Sequence, residues 1–155
     1  MLNIQTGLVI FLHDLFTAIW IGGLLMLTMT TLPALKATLG HSAESEKTMD
    51  AILKRHSQWV YISIIGLIIT GIILARGSNE FSGLFNFSSA YNSLLSIKHM
   101  LVILMVGLAL LRSLGFKSLA NAPDKKKKKI SLLVMHLNAI VGLMVLFLSA
   151  LTSAF

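Results

Sequence analysis

At 155 residues the chain has the length of one domain, and 55% of it is hydrophobic against 12% charged, with a mean hydropathy of +0.83. A soluble domain of that size leaves too much of its area wet to hide so much apolar surface, so lipid is the expected solvent. The net charge of +7 does not point to nucleic acid, because five of the thirteen Lys and Arg residues form one run, Lys125 to Lys129, just before an apolar stretch; the lack of cysteine excludes disulfides, thiolate metal sites and covalent c-type haem attachment.

The first apolar run covers residues 5–35, with Pro33 near its end, where a lost backbone hydrogen bond is tolerable. It lacks the basic leader and the small-residue cleavage pattern of a signal peptide, and reads as a retained helix. A polar stretch from Lys36 to Arg55 leads to a second run over residues 56–76. The following loop carries Phe81, Phe85, Phe87 and Tyr91, residues suited to a membrane interface. The third and fourth runs cover residues 93–119 and 130–153. Each of the four supplies the ~20 apolar residues that cross ~30 Å of hydrocarbon. The expected fold is all-α: one domain over residues 1–155, an integral membrane four-helix bundle of up-down topology.

Orientation follows from the basic residues. The first connection holds Lys36, Lys47, Lys54 and Arg55, and the third holds Arg112, Lys117 and Lys125 to Lys129. Only Arg76 and Lys98 flank the middle loop, a split of eleven to two. The positive-inside rule puts the first and third connections in the cytoplasm and both termini outside.

Ionisable groups within a span are costly and mark functional candidates. His13 and Asp14 lie in the first span, Lys98 and His99 in the third, His136 in the fourth, and His56 at the mouth of the second; His41 falls in a loop. At ~1.5 Å per residue, His13 and His99 lie ~12 and ~10 Å deep from the outer side, and His56 and His136 ~3 and ~9 Å from the inner side. Two layers of facing imidazoles match the axial needs of two b-type haems, His13 with His99 and His56 with His136. Gly22, Gly23 and Gly107 near the inner layer, and Thr70 and Gly71 near the outer, offer room at those levels. Asp14 and Lys98 are supporting candidates: Asp14 as a pair for Lys98, an orienter of His13 or a proton carrier, and Lys98 as a side chain able to snorkel outward. A bland reading stands beside this one, since a lone histidine in a span can simply bond a neighbour and glycine permits close helix approach. Methionine suggests copper as a rival to haem, but Met26 lies ~20 Å along the axis from His13 and thioethers are ordinary core filler.

The segment His13-Asp14-Leu15-Phe16-Thr17-Ala18-Ile19-Trp20-Ile21-Gly22-Gly23 resembles the His-x6-Trp-x-Gly-Gly pattern that opens the copper resistance D (CopD-like) membrane domain. Thr70-Gly71, Lys98 and the stretch Asn138 to Gly142 are further points of similarity, so the likeness touches all four spans. The wider group is similar to HemJ-type protoporphyrinogen oxidases, which implies haem b and an essential His and Lys at His13 and Lys98. Ala139 stands where that group's Asn-Glu-x-Pro motif has its acid, which weighs against porphyrinogen oxidation. The copper-resistance relatives imply copper uptake. From the histidine layers, the leading expectation is a dihaem b-type cytochrome that relays electrons across the bilayer, with quinol or a redox protein as partner. A HemJ-like oxidase and a copper transport protein are the alternatives.

Overall fold

The computed structural model describes residues 4–40, 42–77, 83, 85–118 and 124–154, with the side chains of 113–118 and 124–125 outside the description. His41 and Phe81 lie outside the described residues, as do the side chains of Lys117 and Lys125. Four helices, α1 (Ile4–Leu39), α2 (Ala43–Gly77), α3 (Ala90–Ser118) and α4 (Asp124–Thr152), are long and apolar enough to cross a membrane, and no strand occurs among the described residues. The all-α, four-span expectation therefore holds. The chain divides into two helical units, Met1–Ser78 with α1 and α2, and Asn79–Phe155 with α3 and α4.

In the first unit the turn between helices is set by chemistry at Gly40 and Ser42. Gly40 adopts φ 58°, a left-handed conformation that a side chain resists, and its N–H donates to Lys36 O at 3.0 Å. Ser42 then caps α2: its hydroxyl oxygen accepts from the Ser45 N–H at 3.1 Å, and Glu44 and Glu46 in the first turn suit the positive end of the helix. Capping extends α2 ahead of its apolar run, which is why the helix begins at Ala43 and not at the start of that run.

Helix α1 is not uniformly wound. Two π-helical turns interrupt it, Ala18–Gly22 and Leu27–Thr31. Pro33 has no N–H for the carbonyl one turn back and its ring crowds that carbonyl, which accounts for a shifted ladder over the second of these turns. Nearby hydroxyls take up carbonyls there: Thr28 donates to Leu24 O at 2.9 Å and Thr31 to Met26 O at 3.2 Å.

Glycine decides how α1 and α2 meet. Phe16 lies on Gly66, whose missing Cβ leaves the space the ring fills. His56 lies on Gly23, where a Cβ would come within 2.6 Å of its Cε1. Lipid removes most of the hydrophobic drive for helix association, so this close shape fit and the polar contacts below hold the hairpin. The opposite side of α2 shows Ile62, Ile65, Ile68, Ile69, Ile72 and Ile73, each about half exposed. In water that continuous apolar face would drive aggregation; in a bilayer it meets acyl chains.

The second unit opens with a polar clamp. The Ser96 hydroxyl donates to Asn86 O at 2.8 Å and accepts from the Asn86 N–H at 3.0 Å, while Ser89 caps α3 by accepting from the Asn92 N–H at 3.1 Å. Buried residues recur at helical spacing on α4, at Met135, Asn138, Ala139, Val141, Gly142 and Val145, and on α3 at Ser96, Met105 and Ala109. Met105 and Met135 are each only 1% exposed and so serve as packed core.

Candidate functional site

The first unit brings His13 of α1 against Thr70 of α2. Its Nδ1 lies 2.8 Å from the Thr70 hydroxyl, fifty-seven residues away. Thr70 is 5% exposed, and its hydroxyl proton goes to Gly66 O at 2.7 Å. With that proton on Gly66 O, the Thr70 oxygen accepts from His13 Nδ1–H, the arrangement in which Nε2 is the remaining ring nitrogen. A metal-binding imidazole is held in this way, with one nitrogen donating to an anchor and the other presented to the ion. Gly71 lies beside the ring: a Cβ there would meet His13 Cε1 at 3.8 Å, an ordinary van der Waals distance.

His56 is half-buried on the Gly23 seat. Gly23 lies ten residues beyond His13, about 15 Å along the axis, so one ion cannot be shared by both rings. Between these levels two buried polar atoms lack a hydrogen-bond partner among the described residues, Trp20 Nε1 and Ser63 Oγ. Trp20 is 2% and Ser63 0% exposed.

In the second unit His99 is half-buried and donates from Nδ1 to Leu95 O at 2.7 Å. His136 does the same to Leu132 O at 2.7 Å, but its side chain is exposed, on a face of α4 turned away from the stripe of Met135, Asn138 and Ala139. Asn138 Oδ1 is a further buried polar atom with no partner among the described residues. Lys98 is half-buried and engaged, and Asp14 is exposed. Among the described residues no three His, Asp or Glu side chains come together as a metal cage.

The levels expected from sequence hold within the first hairpin: Thr70 and Gly71 stand at His13, and Gly23 at His56. What fills them differs. The hollows at Gly23 and Gly66 are occupied by the His56 and Phe16 rings. Phe16 and Ser63 carried no signal in sequence; Phe16 shares a helix face with His13 at a spacing of three, which is the one hint available.

Such a fold and such sites define a multi-pass α-helical membrane protein with imidazoles held inside its spans. A family model described as copper resistance protein D (CopD) matches residues 50–152, well over half of the chain, and the chain belongs to that family. The matched stretch takes in most of α2 with α3 and α4, while the His13 to Gly23 motif lies ahead of it. No curated protein and no solved structure matches the chain.

Proposed function

We propose that this protein handles copper within the membrane as a transport protein of the copper-resistance type, with Cu(I) as cargo and His13 as its principal intramembrane ligand. The observation that carries this reading is the Thr70 anchor, an interhelical contact at 2.8 Å that positions the His13 ring through Nδ1. Imidazole suits copper, and family membership supports the choice of metal. His56 and His99 are further candidate ligands, and the ~15 Å along the axis between the His13 and His56 levels favours passing an ion over caging it. Asp14, one residue along from His13, is a carboxylate able to draw a cation toward that level. In this reading the α1–α2 and α3–α4 connections face the cytoplasm, supported by eleven of the thirteen Lys and Arg residues lying in or beside them.

A second reading keeps two b-type haems, ligated by His13, His56, His99 and His136. What favours it is that three of these rings donate from Nδ1, which suits Nε2 for axial ligation of iron. The donor set of imidazoles fits axial ligation of the group. Bound haem would supply one-electron chemistry; Lys98 is the cation nearest in sequence to His99.

One experiment separates the two. The full chain from a haem-replete, copper-supplied host is analysed for metals and by reduced-minus-oxidised absorption. Copper retained by wild type and lost in His13→Ala, without a b-type spectrum, is the expected result. A b-type spectrum with stoichiometric haem would overturn the copper reading in favour of the second, and the loss of neither metal nor haem in His13→Ala would remove both.

A further inference from the structure

Helix α4 carries an exposed stripe that the copper reading does not use. Lys126, Lys129, Leu133 and His136 follow at spacings of three, four and three, so they share one face, and all four are exposed. The stripe continues through Ile140, which is 56% exposed. Beside it a groove of about 300 Å³ is lined by Lys129, Ile130, Leu132, Leu133 and His136, and its wall is almost wholly apolar. Lys127 and Lys128 are half-buried and already engaged, so the charge available to this face comes from Lys126 and Lys129.

The order along the stripe is the order of a phospholipid. Cations lie at the end of the span, at the depth of headgroup phosphate, and an apolar channel runs from them toward the membrane centre. From Lys129 to His136 is about 10 Å, the stretch that the glycerol backbone and the first methylenes of an acyl chain would cover. Lysine at a membrane surface attracts anionic lipid, and a neighbouring apolar groove gives an acyl chain more contact than a smooth helix does. We propose that the α4 stripe from Lys126 to His136 binds an anionic glycerophospholipid, with Lys126 and Lys129 on the phosphate and one acyl chain in the groove against Leu133. His136 then meets lipid, which sets it apart from His13, His56 and His99.

The test uses the full chain in nanodiscs of phosphatidylcholine containing a minor fraction of spin-labelled phosphatidylglycerol, or spin-labelled phosphatidylcholine as reference. Both leaflets are reached in a nanodisc, so a change of insertion direction does not alter the readout. Wild type should immobilise phosphatidylglycerol in preference to phosphatidylcholine. The preference should fall about five-fold for each lysine replaced in K126Q and K129Q, weaken in high salt, and survive in K126R/K129R. Leu133→Ala should weaken the retention of both lipids, and millimolar inorganic phosphate should not compete, because it brings no acyl chain. The proposal is overturned if wild type shows no preference, if K126Q/K129Q keeps it in full, or if inorganic phosphate displaces the lipid. It is equally overturned if the stripe proves to be covered by a second copy of the chain, seen as cross-linking through a cysteine placed at Leu133.

Discussion

Replacing Thr70 with valine tests whether the His13 anchor serves ligand binding. Valine keeps the shape of threonine and deletes the one atom that accepts from His13 Nδ1, 2.8 Å away. The Gly66 carbonyl loses a second donor but stays within the helix ladder, so the main loss is the interhelical bond. Polar contacts of this kind inside a membrane contribute ~0.6 kcal/mol on average and up to ~1.7 kcal/mol, so the hairpin should survive. The effect on an ion should be larger. With the anchor gone the imidazole can rotate or exchange tautomers, and removal of such an outer-shell partner costs ~10–100-fold in metal affinity. That corresponds to about 1.4–2.8 kcal/mol. The assay is competition for Cu(I) against a chromophoric chelator, with detergent-solubilised wild type, T70V, T70S and His13→Ala. T70S keeps the hydroxyl and should bind like wild type, while His13→Ala should lose the site. If T70V binds within two-fold of wild type while His13→Ala is silent, the anchor does not tune the ligand and the reasoning fails. A T70S variant as weak as T70V would point to lost packing in place of the lost hydrogen bond.

Gly66→Ala drives a methyl group into the Phe16 ring and should destabilise the protein by about 1–3 kcal/mol, read as a lowered thermal midpoint in detergent, with most of the loss restored by adding Phe16→Leu. A midpoint unchanged by G66A would show that the two helices do not meet there. Ser63→Ala removes a fully buried hydroxyl that has no partner among the described residues, so stability should stay level or rise by up to ~1 kcal/mol; a loss beyond that would reveal a bound water or ligand on the hydroxyl. His136→Ala should leave Cu(I) loading at the wild-type level in the chelator assay, because that ring lies on the exposed face of α4. A drop comparable to that of His13→Ala would return His136 to the ligand set and favour the four-histidine reading.

The spans were legible because the cost of burying charge in hydrocarbon leaves long apolar runs that no loop chemistry imitates. Their ends were less so. Helix α2 continues thirteen residues below the apolar run because Ser42, Glu44 and Glu46 satisfy a helix start in water, a force separate from hydropathy. The π turns of α1 have no residue code of their own; only Pro33 hints at the second. Histidine levels in the first hairpin were legible from the helical rise, since antiparallel neighbours joined at Gly40 must bring His13 toward Thr70 and Gly23 toward His56. The use of those levels was not. Glycine in a sequence marks a hollow and does not say what fills it. Room expected for a cofactor at Gly23 is taken by the His56 ring, and at Gly66 a phenyl ring does the same.

The three Nδ1 anchors differ in what they depend on. His99 and His136 donate to the carbonyl one turn earlier on their own helices, so those bonds persist wherever the helix does. The His13 bond spans two helices and lasts only while α1 and α2 are closed. Closure in turn rests on the fit of Phe16 to Gly66 and of His56 to Gly23, the glycine seats on either side of the Trp20 and Ser63 level. The His13 anchor is therefore coupled to packing about one and three turns away, whereas the anchors of His99 and His136 are not. For a ligand that must release its cargo, this is a useful asymmetry. A small opening of the hairpin frees the His13 ring to turn, and a lone pair that wanders is a weaker ligand. Under the proposed copper reading, the anchored ring and the glycine seats act as one device, in which holding the ion and holding the helices together draw on the same contacts.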